Sequence, residues 1–241
     1  MSSQNKLRVL CLPFPNFDTL DLNGPIEVLG SSGYPGGKFP FSITIAAADE
    51  LTRAGEGYAL QRNISHADAL ATINSFAVLL VPGAGTEHIM PYLKEGETHF
   101  DGLLGIAEAF CRLGPMEDGT ERVMLSVCTG SLKLAYRGLF DGLKVTTHFS
   151  AYSLLEGIVA GYKGRNPGTA KGATVVGPVE GKERRVRWVD AGRNAHGVRV
   201  ISAGGVSCGI DAALFIASER YGRDTALKIA EIMEYAWREN V

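Results

Sequence analysis

A chain of 241 residues, 45% of them hydrophobic and 21% charged, has enough apolar material to close one sizeable core. Its 24 basic and 26 acidic side chains leave a formal charge of -2, which excludes the electrostatic footprint of a nucleic-acid binder. No run approaches the roughly 18 apolar residues of a membrane span, and no apolar signal segment follows Met1. The histidines are scattered rather than clustered as metal ligands. Cys11, Cys111, Cys128 and Cys208 form no Cys-x-x-Cys and read as reduced thiols of a cytoplasmic protein. A single domain over 1–241 is expected, with no nucleic-acid or membrane partner.

In chain order, Lys6 to Phe14 reads as a buried strand stopped by Pro13 and Pro15. A helix follows from about Asn23 to Leu29, with Asn23 as cap and Pro25 in its first turn. Glycine and proline make 30–40 a loop, and Phe41 to Ala48 alternates as a second strand. Phe76-Ala-Val-Leu-Leu-Val81 is a continuous apolar run ended by Pro82-Gly83, the pattern of a central parallel strand covered on both faces. Helical sequence occupies 87–110 with a break near Gly96. Arg122 to Val127 is the next strand, and the following helix ends at Gly138. A short strand at Val145-Thr-Thr-His, a helix over 150–158 and a glycine-rich loop over 161–181 come next. The basic group Lys182, Arg184, Arg185 and Arg187, interspersed with Glu180 and Glu183, reads as a solvated strand or hairpin. Strands at 186–190 and 198–202 and two closing helices complete the chain, the last with a face of Ala226, Ile229, Met233 and Trp237. Such alternation predicts a doubly wound, mostly parallel α/β sheet with helices on both faces.

In such a sheet, ligands bind beyond the carboxyl ends of the strands. Three segments end there, carrying Asp18 and Asp21, Gly83-Ala84-Gly85, and Cys128-Thr129-Gly130-Ser131. Cys128 stands where a buried strand must turn into a helix, so it is the candidate nucleophile, its thiolate favoured by a helix N-terminus. Asp21, set between Leu20 and Leu22, is the carboxylate best placed to face it, with a pKa raised by burial and by the thiolate. Its alternative role is to cap the following helix. Gly83, Ala84 and Gly85, with the Thr129 N–H, would offer donors to developing negative charge. His148 is the competing partner for Cys128, as a general base for acyl transfer. No dinucleotide or phosphate-loop motif is present, so no cofactor is expected.

These motifs resemble the DJ-1/ThiJ/PfpI superfamily, and within it the isocyanide (isonitrile) hydratase group. The resemblance runs through Phe14-Pro15, Leu20 to Pro25, Val81-Pro82-Gly83, Ser126 to Leu132, Gly138-Leu139, Thr146-Thr147-His148 and Ala203 to Asp211. It implies a flavodoxin-like fold related to class I glutamine amidotransferases, a homodimer, and a lyase acting on a small molecule without cofactor or metal. By resemblance Cys128 matches the nucleophile and Asp21 the facing acid, which many relatives supply as glutamate. Thr129 matches the residue after the nucleophile, a histidine in the protease-like branch. The implied reaction adds water to an isonitrile, giving an N-substituted formamide through a Cys128 thioimidate. Ala84 departs from the second glycine common in relatives, and the 161–181 stretch is longer than in bacterial enzymes. Glyoxalase-type activity on 2-oxoaldehydes and redox sensing through an exposed, low-pKa Cys128 are the other readings. A sensory regulator is disfavoured because no DNA-binding segment follows Val241.

Overall fold

The computed structural model describes residues 6–37, 40–178 and 185–239. Its first half runs β1 (Leu7–Cys11), α1 (Thr19–Leu29), β2 (Phe41–Ala47), β3 (Leu51–Arg53), β4 (Ala59–Gln61), β5 (Ile64–Ser65), α2 (His66–Ala71) and β6 (Phe76–Val81). Then follow α3 (Asp101–Cys111), β7 (Val123–Val127), α4 (Gly130–Tyr136), β8 (Lys144–Val145), α5 (Tyr152–Arg165) and β9 (Thr174–Val175). The chain closes with β10 (Trp188–Arg193), β11 (Arg199–Ala203), α6 (Cys208–Tyr221) and α7 (Arg223–Ile232).

Seven strands form one sheet in the order β10-β11-β7-β6-β1-β2-β5. Every neighbouring pair is parallel except β10 and β11. The central strands β6 and β7 are buried along their whole length, which is why β6 reads as an unbroken apolar run and β7 as one interrupted by Ser126 alone. From β1 the chain steps one way to β2, and from β6 it steps the other way to β7. Right-handed crossovers therefore put α1 and α3 on opposite faces of the sheet. The reversal makes β1 and β6 the switch point, whose carboxyl ends open a crevice. The doubly wound, mostly parallel α/β sheet expected from the sequence is the fold observed. No helix among the described residues is long and apolar enough to cross a membrane.

Several local expectations are corrected. Helix α1 begins at Thr19, and its cap is Asp18 rather than Asn23; Asp18 Oδ1 accepts the N–H groups of Leu20 at 3.0 Å and Asp21 at 3.2 Å. Asp21 is thus a first-turn residue and not the cap. Pro25 lies inside the helix and leaves the Asp21 carbonyl without its usual i+4 donor. Pro91 and Gly96 break up the sequence after β6, so 86–92 forms two 3₁₀ turns and only Asp101–Cys111 is α-helical. Helix α5 continues through Gly157, Gly161 and Gly164 to Arg165, so helix replaces loop at the start of 161–181. Helix α7 ends at Ile232, and Glu234 at φ +49° turns the chain before Trp237, whose indole donates to Asp211 O at 3.2 Å. Between β2 and β6, the hairpin β3–β4, the edge strand β5 and α2 fill a region whose residues carry no periodic signal. Lys182 and Arg184, with Glu180 and Glu183, lie outside the described residues.

Helices α1 and α6 cross at backbone-to-side-chain distance. A Cβ on Gly24 would fall 2.8 Å from Ile210 Cγ1, and one on Gly209 would fall 3.0 Å from Val127 and 3.1 Å from Pro25. This close crossing sets how deeply α1 seats Asp21 against the sheet. Gly24→Ala is expected to lower stability by about 1–3 kcal/mol through overpacking. Urea unfolding would show the midpoint falling at constant slope, and an unmoved midpoint would mean that Ile210 yields freely.

Candidate active site

The parallel registers bring Cys11 beside Leu80, Val81 beside Ser126, and Val127 beside Ala203. The turns that follow β1, β6, β7 and β11 therefore meet at one end of the sheet. Asp21 comes from the first, Gly83 from the second, Cys128 and Thr129 from the third, and Val206 from the fourth.

Asp21 is completely buried. Its Oδ2 accepts the Gly83 N–H at 3.0 Å, while Oδ1 takes no hydrogen bond among the described residues. The Cys128 thiol and this carboxyl group are electrostatically coupled. Gly83 is required here: a Cβ would stand 2.6 Å from Thr129 Oγ1, 2.7 Å from Thr129 N and 2.9 Å from Asp21 Oδ2. The Thr129 hydroxyl donates to Ala84 O at 2.6 Å and accepts the Ala84 N–H at 2.9 Å. The turn after β6 is thereby locked onto the turn after β7.

Cys128 is 7% exposed and adopts φ +57°, an unusual conformation for a residue with a side chain. Hydrogen bonds hold it there. Its N–H is shared between Ala203 O at 3.0 Å and Gly204 O at 2.9 Å, and its carbonyl accepts from Thr147 Oγ1 at 3.0 Å and Ser131 Oγ at 3.1 Å. The N–H groups of Thr129 and Val206 face the sulfur. Val206 sits at φ +47°, strained for a β-branched residue, in the turn before α6.

Burial dominates the electrostatics. It pushes the Cys128 thiol up to about 12, the charge of Asp21 pushes the same way, and the Thr129 and Val206 N–H groups oppose both. Burial and then Asp18 raise Asp21, against the Gly83 N–H, the Cys128 thiol and the charge of Lys133. The Asp21 charge opposes ionisation of Cys128 while the neutral thiol favours the Asp21 carboxylate, so the buried pair favours holding a single negative charge. This corrects the expectation of a thiolate sustained by a helix N-terminus. Helix α4 has only seven residues, and desolvation outweighs the local donors. It also removes the exposed, low-pKa cysteine that redox sensing needs.

Two further expectations change. The N–H groups of Gly83 and Ala84 serve Asp21 and Thr129, so they do not form an anion pocket; the donors facing sulfur come from Thr129 and Val206. Gly85 lies against the Glu87 carboxylate. His148 Nδ1 meets Ser150 Oγ at 2.7 Å, and its ring packs over Gly205; among the described residues it makes no hydrogen bond to Cys128 or Asp21. Burial and Arg185 lower its pKa. His148 does line a cavity of about 220 Å³ with Thr147, Tyr152, Arg187, Val206 and Cys208, beside the Cys128 turn. A larger cavity of about 420 Å³ opens where β1, β7 and β11 begin, and its Arg199 is paired with Glu219 and Asp190.

Three residues of the site escaped sequence reasoning. Thr147 acts through its hydroxyl on the Cys128 carbonyl and Val206 through main-chain geometry, and neither contact leaves a mark in a sequence. Lys133 did leave one, a single charge between Leu132 and Leu134 on the helix after Cys128, and it is fully buried.

Comparison with known proteins bears on the fold and on the likeness in sequence. No family model matches the chain. Isonitrile hydratase of Pseudomonas putida is 28% identical over 231 residues, covering 95% of this chain and 79% of that protein. The chain is similar in sequence to isonitrile hydratase and in fold to ThiJ/PfpI and DJ-1 proteins. A ThiJ/PfpI family protein from Pseudomonas syringae aligns over 97% of this chain and 77% of its own, with TM-score 0.66 and 23% identity. Oxidized DJ-1 of Toxoplasma gondii aligns over 96% and 100%, with TM-score 0.63 and 16% identity. An AraC family transcriptional regulator from Pseudomonas putida aligns over 94% and 99%, also with TM-score 0.63 and 16% identity. One fold thus hosts unlike tasks, and function must be argued from the site.

The charge coupling has a testable sign. Asp21 raises the Cys128 pKa, so removing its charge lowers that pKa and increases the thiolate fraction. Asp21→Asn, which can still accept the Gly83 N–H, is expected to speed alkylation of Cys128 by iodoacetamide at pH 8 by about tenfold. A slower or unchanged rate would show that the two groups are not coupled.

Proposed function

We propose that this protein is an isocyanide hydratase, converting R–N≡C and water into R–NH–CHO. The observation that carries the proposal is the pairing of a buried carboxyl group, Asp21, with the buried thiol of Cys128 beside donors that face the sulfur. An isocyanide suits such a site: its terminal carbon accepts a nucleophile and then, at the same carbon, a proton. The likeness to isonitrile hydratase supports this choice of substrate.

In the first half of the cycle the pair holds one proton between its two groups: Cys128 sulfur, as the thiolate, forms a bond to the terminal carbon, and the carboxyl proton of Asp21 passes to that carbon. The product is the thioimidate R–N=CH–S–Cys128, with Asp21 left as carboxylate. In the second half Asp21 accepts a proton from water as the oxygen bonds to the same carbon, and passes that proton to nitrogen. The tetrahedral adduct R–NH–CH(OH)–S–Cys128 then loses its C–S bond as Asp21 takes the hydroxyl proton, releasing the formamide and restoring the Cys128 thiolate beside the Asp21 acid. The N–H groups of Thr129 and Val206 stabilise charge on sulfur when it attacks and when it leaves. Thr129 also holds the turn that carries the Gly83 donor to Asp21. No cofactor is needed, and we take the functional unit to be a homodimer acting on a small molecule.

Purified protein should turn over an alkyl or aryl isocyanide to the formamide, followed by gas chromatography or by loss of the isocyanide infrared band. Cys128→Ala is expected to abolish turnover. Asp21→Asn should lower kcat by about 100-fold or more, since it removes the proton donor and acceptor. Turnover of methylglyoxal with none of any isocyanide would favour the glyoxalase reading instead.

A further inference from the structure

Lys133 stands on α4, one turn beyond Cys128, and no part of it reaches solvent. Its Nζ donates to Pro82 O at 3.3 Å and lies 3.5 Å from the centre of the Phe14 ring, with the Phe100 ring at 5.3 Å. Pro82 O and Gly83 N belong to the same peptide group, and that Gly83 N–H donates to Asp21 Oδ2 at 3.0 Å. The amine and the carboxyl group are thus bonded to the two ends of one peptide dipole. A cation at the carbonyl end polarises the peptide and strengthens its N–H as a donor. The ring faces of Phe14 and Phe100 favour an ammonium ion at this depth.

We infer that Lys133 is a positioning residue for Asp21, acting as an ammonium ion through the Pro82–Gly83 peptide to hold the carboxyl group in place and poise its ionisation. The inference deepens the hydratase reading and rests on it for its purpose. In that cycle Asp21 must give a proton and later take one. Burial alone would keep Asp21 as the acid, and a nearby cation restores access to the carboxylate. The other titratable groups acting electrostatically on Asp21 or coupled to it are Asp18 before α1, Cys128 itself, and Cys208 at the start of α6. None of these is a cation. Burial pulls the Lys133 pKa well down and the charges of Asp21 and Cys128 pull it back up, so Lys133 supplies the opposing charge as the partner of the ionised pair.

The test is direct titration of the Asp21 carboxyl carbon by ¹³C NMR in a Cys128→Ala background, with and without Lys133→Met. Losing the cation raises the pKa of a carboxyl group, so the Asp21 midpoint should move up by about one pH unit. The melting temperature should stay equal or rise, because an apolar side chain replaces a buried amine. A midpoint that is unchanged or lowered overturns the inference, whatever happens to stability. If the methionine variant does not fold, Lys133→Gln, which lacks the charge, carries the same test with the same expected direction. The titration needs no substrate. Absence of isocyanide turnover in the wild-type protein would therefore defeat the hydratase reading and leave this result standing on its own.

Discussion

The site depends on one close approach, that of the Pro82–Gly83 peptide to the start of α4 and the first turn of α1. Gly83 sits so near Thr129 and Asp21 that any side chain at this position would collide with both. From this contact the remaining geometry follows. The peptide N–H fixes Asp21, the peptide carbonyl receives Lys133, and the neighbouring Ala84 is locked to the Thr129 hydroxyl. Three turns that are distant in sequence are thereby held around Cys128. Their relative positions come from strand register and not from loop stiffness.

Chemically, the consequence is a thiol and a carboxyl group sharing a dry space. In water the carboxyl group would be ionised and the thiol mostly neutral at pH 7. Burial raises both, and their mutual repulsion makes double ionisation costly. A pair restrained in this way keeps a proton available beside a nucleophile, which addition to an isocyanide carbon requires. The strained conformations of Cys128 and Val206 serve the same end, since they turn main-chain donors toward sulfur.

The sequence made the sheet legible because buried parallel strands are predominantly apolar: Phe76–Val81 is so throughout, and Val123–Val127 departs only at Ser126. It placed Cys128, Asp21 and Thr129 at the right end of that sheet, and the structure brings the three together. It misjudged what depends on depth and main-chain direction. A helix N-terminus beside Cys128 suggested a stabilised thiolate, but exposure cannot be read from residue order, and desolvation reverses the sign. The glycines of the Gly83–Gly85 turn suggested free donors, whereas two of those N–H groups are consumed within the site. The cap of α1 was misplaced because Asn23 and Pro25 resemble a helix start, while Asp18 supplies an earlier one. Lys133 was visible as a charge in an apolar stretch, but only the fold reveals that it cannot reach solvent.

The central claim is that Cys128 becomes covalently attached to the isocyanide carbon during turnover. Rapid acid quench of protein mixed with excess isocyanide, followed by intact-mass and peptide mass spectrometry, tests it most directly. A transient increase equal to the mass of the isocyanide, on the peptide that contains Cys128 and decaying as formamide accumulates, is the predicted result. Formamide produced with no adduct on Cys128, or with the adduct on Cys11, Cys111 or Cys208, would contradict it.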